Sequence, residues 1–260
     1  MSYSTIQLAV EGPAAIIRLN RPEKRNAINF EMMDEIEGAL AALNDDSKVS
    51  GIIFSGGDKF FSAGMDLNTA KHLGSPKKFN DFMQHWRRLN KAQEDNAKPI
   101  IAAIEGFCFT GGLELALACD LRVASRSAQF AITSSKIGTV AGAGGTQRLP
   151  RIVGIPNALE MLFSADPYDA EHAYRIGLVN KLTEVGKALE EAKKLVAVYS
   201  QRAPLSLRFV KRAVYGGMQM PLGEAIEFEG FIVNTIYTTN DKLEGISAFL
   251  EKRPAKFRGE

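Results

Sequence analysis

Residues 99–120 read PIIAAIEGFCFTGGLELALACD. The apolar run Ile100–Ile104 predicts a buried strand that stops at Gly106. Gly111-Gly112 then opens a segment in which Leu113, Leu115, Ala116, Leu117 and Ala118 suit a buried helix, with Glu114 the only charge in its first turn. A strand, a glycine turn and a helix start leave backbone N–H groups without intrahelical partners, directed at whatever lies ahead of the helix. A carboxylate beside such donors is placed to remove or deliver a proton.

Working outward, strands and helices alternate. Ile6–Val10 and Ala14–Asn20 flank the Glu11-Gly12-Pro13 turn as a hairpin, and Phe30–Leu43 carries apolar residues at Met33, Ile36, Leu40 and Leu43 on a helical period. GIIFS at 51–55 is a second buried strand, and Pro76–Asn96 a long amphipathic helix. A strand pair is expected near Leu121–Ser125 and Gln129–Ile132, and a Gly142–Gly145 loop leads into another helix. This rhythm favours an α/β fold with largely parallel pairing and a site in the loops after the strands. Beyond Leu182 the reading is all helix: Glu184–Ser200, Pro204–Tyr215, Leu222–Tyr237 and Asp241–Lys252.

The composition sets bounds. The chain has 260 residues, 45% hydrophobic and 24% charged, with a formal net charge of +2. That is enough apolar material for one large core, and too balanced a charge to argue for nucleic acid or a membrane surface as partner. No apolar stretch is long and charge-free enough to span a bilayer, and MSYSTIQLAVEG lacks the basic and apolar regions of an export signal, so a cytoplasmic location is the expectation. Cys108 and Cys119 read as small core residues, and His72, His85 and His172 have no metal-ligand spacing, so no metal is expected.

Three glycine-bearing segments bear on chemistry. In FFSAGMDL at 60–67, the small Ser62-Ala63-Gly64 lets the backbone approach a ligand; taken alone, it is also an ordinary turn before a helix, with Asp66 in its first turn. Gly111, with a second N–H from near Met65, suits a carbonyl oxygen that turns into an oxyanion; the plain alternative is tight glycine packing of a buried helix. GTVAGAGGTQRL at 138–149 fails the dinucleotide fingerprint, because Gln147 stands where the third glycine is required.

Together these segments resemble the crotonase (enoyl-CoA hydratase/isomerase) family. The matching pieces are NRPEKRNAIN at 20–29, FFSAGMDL at 60–67, KPIIAAIEGFCFTGGLELALACDLRVAS at 98–125, AQF at 128–130, GTVAGAGGTQRLPRIVG at 138–154, AYRIGLVNKL at 173–182 and EGISAFLEKRPAKF at 244–257. They cover nearly the whole chain in the family's order. The resemblance implies a spiral of ββα units over residues 1–195 holding an acyl-CoA site. It implies a helical region over 196–260 that completes the site and forms a homotrimer, or a hexamer of two trimers. It implies an acyl-CoA thioester as substrate, with coenzyme A part of that substrate and no separate cofactor.

By position, the resemblance makes the N–H groups of Met65 and Gly111 the oxyanion hole and Glu114 the catalytic acid/base. Arg25 and Ala27 fall in the loop that cradles the nucleotide, Phe249 and Lys252 where a neighbouring subunit's CoA is reached, and Ala63, Asp66 and Gly142 among the substrate contacts. The chain departs from the family pattern at three places, and Ala141, which replaces a common proline before the Gly142 loop, is with Thr110 one of the two smaller ones. Thr110 stands where the glycine triplet usually begins, and Ser134 stands where hydratases typically carry a second glutamate. Serine has no accessible ionisation near neutrality, so Ser134 is read as a catalytic-site residue that hydrogen-bonds a water or substrate hydroxyl rather than as a base. The favoured expectation is enoyl-CoA hydratase or dehydratase chemistry. Isomerisation, other enolate chemistry such as decarboxylation or thioester hydrolysis, and a catalytically weakened acyl-CoA-binding protein are the alternatives.

Overall fold

Strands β3 (Gly51–Ser55) and β4 (Ile100–Ile104) lie at the middle of the molecule, buried along their whole length in this computed structural model, which describes residues 3–260. The full element order begins with the hairpin β1 (Ile6–Glu11) and β2 (Ala14–Leu19), then α1 (Phe30–Asn44), β3, α2 (Leu67–Lys71) and α3 (Pro76–Asp95). It continues through β4, β5 (Phe107–Phe109), α4 (Gly111–Leu117), β6 (Leu121–Ser125), β7 (Gln129–Ala131), α5 (Gly145–Val153) and α6 (Ile155–Ser164). The remainder is β8 (Tyr168–Asp169), α7 (Ala170–Arg175), β9 (Lys181–Thr183), α8 (Ala188–Tyr199), α9 (Pro204–Gly217), α10 (Leu222–Tyr237) and α11 (Asn240–Leu250).

The main sheet has the order β1-β2-β3-β4-β6-β9; the β1–β2 hairpin is antiparallel and every later pair is parallel. A second sheet, β5-β7-β8, stands beside it. Parallel strands need both faces covered, and the side-chain period of two shows how this is met. Ile52, Phe54, Ile100, Ala102 and Ile104 join the larger core with α1 residues such as Ile36 and Leu40. The alternate residues Ile53, Ile101, Ala103 and Val123 pack on Ala188, Ala192 and Val196 of α8. That helix approaches so closely that a side chain on Gly51 would come within 2.9 Å of a Val196 methyl.

Some of the helices, α1, α3 and α11 among them, begin where a polar side chain holds a first-turn N–H group. Asn29 accepts from the Met32 N–H at 3.0 Å, Ser75 precedes Pro76 and accepts from Lys78, and Thr239 accepts from Lys242. Such caps each stabilise a helix by about 1 kcal/mol.

Two local expectations are corrected. The helix expected from Glu184 starts at Ala188, because Lys181–Thr183 pairs with β6 as an edge strand and the buried Glu105 carboxylate accepts from the Gly186 and Ala188 N–H groups, setting the helix start there. The Gly106–Thr110 stretch, read as a turn, holds the three-residue strand β5, paired in parallel with β7. Among the described residues no helix is long and apolar enough to cross a membrane, and no group of His, Cys, Asp or Glu is arranged to hold a metal.

Candidate active site

The site assembles around α4, a helix buried from end to end. Its C-terminal carbonyls are held by the buried Arg122 guanidinium, which donates to Ala116 O at 3.2 Å and Cys119 O at 3.0 Å and reaches Leu178 O at 2.6 Å. A cation there complements the negative end of the helix dipole and leaves the N-terminus for chemistry. Gly112 is glycine for space: a Cβ would meet the Ser62 Cβ at 2.7 Å. Ser62 is itself fixed, donating to Asn26 O at 2.7 Å and accepting from the Gly64 N–H at 3.1 Å.

The 60–67 segment runs against the start of α4. Gly64 has φ +104°, a conformation that favours glycine, and a Cβ there would lie 3.0 Å from the Gly111 nitrogen. A Cβ on Gly111 would in turn lie 3.1 Å from the Met65 nitrogen. Ile28 bridges Met65 in parallel fashion, donating its N–H to Gly64 O at 2.7 Å and accepting from the Asp66 N–H at 2.9 Å through its own carbonyl. Pairing through these neighbours turns Met65's own N–H away from Ile28. The two amides named by the sequence resemblance therefore belong to backbone segments in direct contact, and neither donates to an acceptor among the described residues.

Glu114 is 4% exposed. Its Oε1 accepts from the Gly145 N–H at 2.9 Å, at the first residue of α5. Burial pushes its carboxyl up to about 7, while the Gly145 and Ala143 N–H groups and the Arg148 guanidinium pull the other way. Arg148 is itself paired with Glu94, Nη2 to Oε1 at 2.7 Å. A carboxyl with that value carries both protonation states near neutrality, as a group that takes and returns a proton requires.

Ser134, 5% exposed, opens a 3-10 turn over Ser134–Ile137 just after β7. The preceding residue, Thr133, is tied to Thr110: its N–H donates to Thr110 Oγ1 at 3.1 Å and the two hydroxyls lie 2.8 Å apart. Thr110 holds φ +45° and ψ −113°, a region that costs a β-branched residue on the order of 1–3 kcal/mol.

The remaining positions named from the sequence lie in three groups. Arg25, exposed with φ +52°, and the half-buried Ala27 form the loop after the Pro22–Lys24 3-10 turn, where Arg25 O accepts from the Ala63 N–H at 3.0 Å. The Asp66 carboxylate pairs with Arg21 at 3.0 Å and caps α2 through the Asn68 N–H at 3.0 Å, so it braces this loop. Gly142 is exposed in the loop before α5. Phe249 and Lys252 are exposed at the end of α11, Phe249 by 84%.

Sequence reasoning missed the groups that act on Glu114. The Gly142–Gly145 loop, set aside as a failed nucleotide fingerprint, instead presents N–H groups to the carboxylate, and a Cβ on Gly145 would lie 2.9 Å from Glu114 Oε1. Asn90 of α3 braces that loop, its Nδ2 donating to Ala143 O at 2.7 Å. The doubled Gly144-Gly145 was the available signal for a close backbone approach.

This architecture recurs in known proteins. The family model described as enoyl-CoA hydratase/isomerase matches residues 10–260. A crotonyl-CoA hydratase of Syntrophomonas wolfei is 40% identical over 260 residues, covering 99% of each chain. A mitochondrial enoyl-CoA hydratase of Pongo abelii is 37% identical over 94% of this chain and 83% of its own. The crystal structure of an enoyl-CoA hydratase from Bacillus anthracis superimposes with a TM-score of 0.94 at 30% identity, covering 99% of this chain and all of that one. The chain is a member of the enoyl-CoA hydratase/isomerase family.

Proposed function

We propose that the protein adds water across the double bond of an α,β-unsaturated acyl-CoA thioester, with Glu114 as its one carboxylate acid/base. The observation that carries this reading is Glu114 itself: buried, held by the Gly145 N–H, with its carboxyl raised to about 7 beside the free amide of Gly111. The names of the relatives, hydratases of crotonyl-CoA and enoyl-CoA, agree with it.

In this reading the thioester oxygen sits between the Met65 and Gly111 N–H groups. Negative charge moves onto that oxygen as water bonds to Cβ, so donors fixed in advance lower the barrier. Ionised Glu114 takes the proton from the attacking water, and the resulting acid returns a proton to Cα, so the sum is water added and Glu114 regenerated. The Ser134 hydroxyl donates to or accepts from that water without changing ionisation. Arg25 and Lys252 are cations suited to the CoA phosphates, and Ala27, Ala63, Asp66, Gly142 and Phe249 complete the substrate contacts.

The same reading includes self-association. Helices α9 to α11 expose the large apolar side chains of Val214, Leu222, Phe231, Tyr237 and Leu250, which contact with other copies would cover. A trimer, or two trimers stacked, is the expected assembly, read out by light scattering. The absence of a second carboxylate at Ser134 favours one further reading, a double-bond shift catalysed by Glu114 alone. Incubation with crotonyl-CoA in deuterated water separates the two by mass spectrometry: hydration yields a hydroxyacyl-CoA, whereas isomerisation leaves the mass changed only by exchange. Absence of a hydroxyacyl product across short, branched and aromatic enoyl-CoA thioesters would overturn the hydratase reading.

A further inference from the structure

Thr110 presents a conflict between backbone and side chain. Its φ of +45° with ψ of −113° suits glycine, yet the residue is β-branched. Its backbone is otherwise well held, the N–H donating to Ala131 O at 2.7 Å and the C=O accepting from the Glu114 N–H at 2.8 Å. Glycine would make both of those bonds without the strain. What only the side chain supplies is the bond from the Thr133 N–H at 3.1 Å and the contact with Thr133 Oγ1 at 2.8 Å.

These contacts join two parts of the site that are distant in sequence. On one side of Thr110 is Gly111, whose amide is free, and Thr110 O accepts the N–H of Glu114. On the other side of Thr133 is Ser134, buried at the start of its 3-10 turn. Two of the departures from the family pattern, Thr110 and Ser134, are thus connected through Thr133. Counting protons, the pair holds two N–H and two O–H donors: the Thr110 N–H goes to Ala131 O, and the two contacts within the pair use the Thr133 N–H and one O–H. One hydroxyl proton of the half-exposed pair remains for solvent or ligand.

We propose that Thr110 is a positioning residue: through Thr133 it fixes the Ser134 turn relative to the Gly111 amide and Glu114, so that the serine hydroxyl and the acid/base address the same water. The claim rests on the reading of Gly111 and Glu114 given above. It accounts for a strained residue at a place where an unstrained one would fold equally well. A loop held this way matters because misplacement by about 1 Å costs a reaction on the order of a hundredfold.

Thr110→Gly and Thr110→Ser test it in the full-length protein. In Thr110→Gly the melting temperature holds or rises, since strain is relieved. Amide exchange at the peptide containing Thr133 quickens about tenfold, one hydrogen bond's worth. Hydration of crotonyl-CoA loses at least about tenfold in kcat with KM little changed, as expected of lost positioning. Thr110→Ser restores both exchange protection and kcat. Wild-type kcat in Thr110→Gly, or failure of serine to rescue what glycine loses, overturns the proposal. If the wild-type protein hydrates no enoyl-CoA, the hydratase reading fails instead, and the exchange comparison still decides whether Thr110 holds the Ser134 turn.

Discussion

The Gly145 amide donates to Glu114 Oε1 at 2.9 Å, linking the first residue of α5 to the one carboxylate buried in the first turn of α4. This contact works against burial, which is the largest influence on Glu114 and pushes its carboxyl up. The balance near 7 leaves the carboxylate a usable base while keeping its acid form accessible.

The first expectation follows for the pH–rate profile. In the proposed hydration, attack by water requires ionised Glu114, so kcat/KM for crotonyl-CoA is expected to rise with pH and level off above an apparent value of about 7. A profile flat from about pH 5 to 8 would show that another group, or none, takes the proton.

Stability has the opposite pH dependence. The folded-state value of Glu114, about 7, lies above its ordinary 4.5, so the folded protein binds the proton more tightly than the unfolded chain. Its contribution is fully present below the lower value and is lost as pH rises through the higher one. Glu114→Gln removes this titration. Relative to wild type, its unfolding free energy therefore increases by about 3 kcal/mol between acid and mildly alkaline pH. Denaturant melts at fixed protein concentration measure this, and a difference independent of pH contradicts it.

Ser134→Glu supplies the carboxylate that hydratases of the family typically carry. With two carboxylates about one water, proton removal and delivery are shared, and hydration of crotonyl-CoA accelerates on the order of tenfold or more. An unchanged rate points the site to enolate chemistry other than water addition.

Much of this was legible in the sequence, for physical reasons. The fully apolar runs at 51–55 and 100–104 announced buried parallel strands, and Gly111-Gly112 with Glu114 announced the helix start. Strand β5, Phe-Cys-Phe, was too short for its alternation to register, and it exists because β7 pairs with it. Likewise the Glu105 carboxylate, which sets the start of α8, acts across 83 residues. The Thr110–Thr133 link has no local signature, and the doubled Gly144-Gly145 signals a close backbone approach without saying that Glu114 is its partner; both contacts arise where separate turns of chain meet.

The C-terminal helices yield another test. Phe249 and Lys252 are exposed on the single chain, which suits residues that act on a neighbouring subunit's ligand. Phe249→Ala and Lys252→Ala each raise KM for an acyl-CoA by about tenfold, roughly 1.4 kcal/mol of binding, with kcat nearly unchanged. Truncated thioesters lacking the nucleotide phosphates show no such loss for Lys252→Ala, and an equal loss there would refute a phosphate contact.

The central claim is that Glu114 alone performs the acid/base work. Gln at this position keeps the acceptor for the Gly145 N–H and loses only the titratable proton, so the comparison isolates chemistry from fold. The decisive measurement is the rate of hydration of crotonyl-CoA by Glu114→Gln beside the wild type, with melting temperature and acyl-CoA binding recorded for both. A folded, ligand-binding variant slowed by about a hundredfold to ten-thousandfold is the predicted result. A variant that hydrates crotonyl-CoA at the wild-type rate would contradict the account.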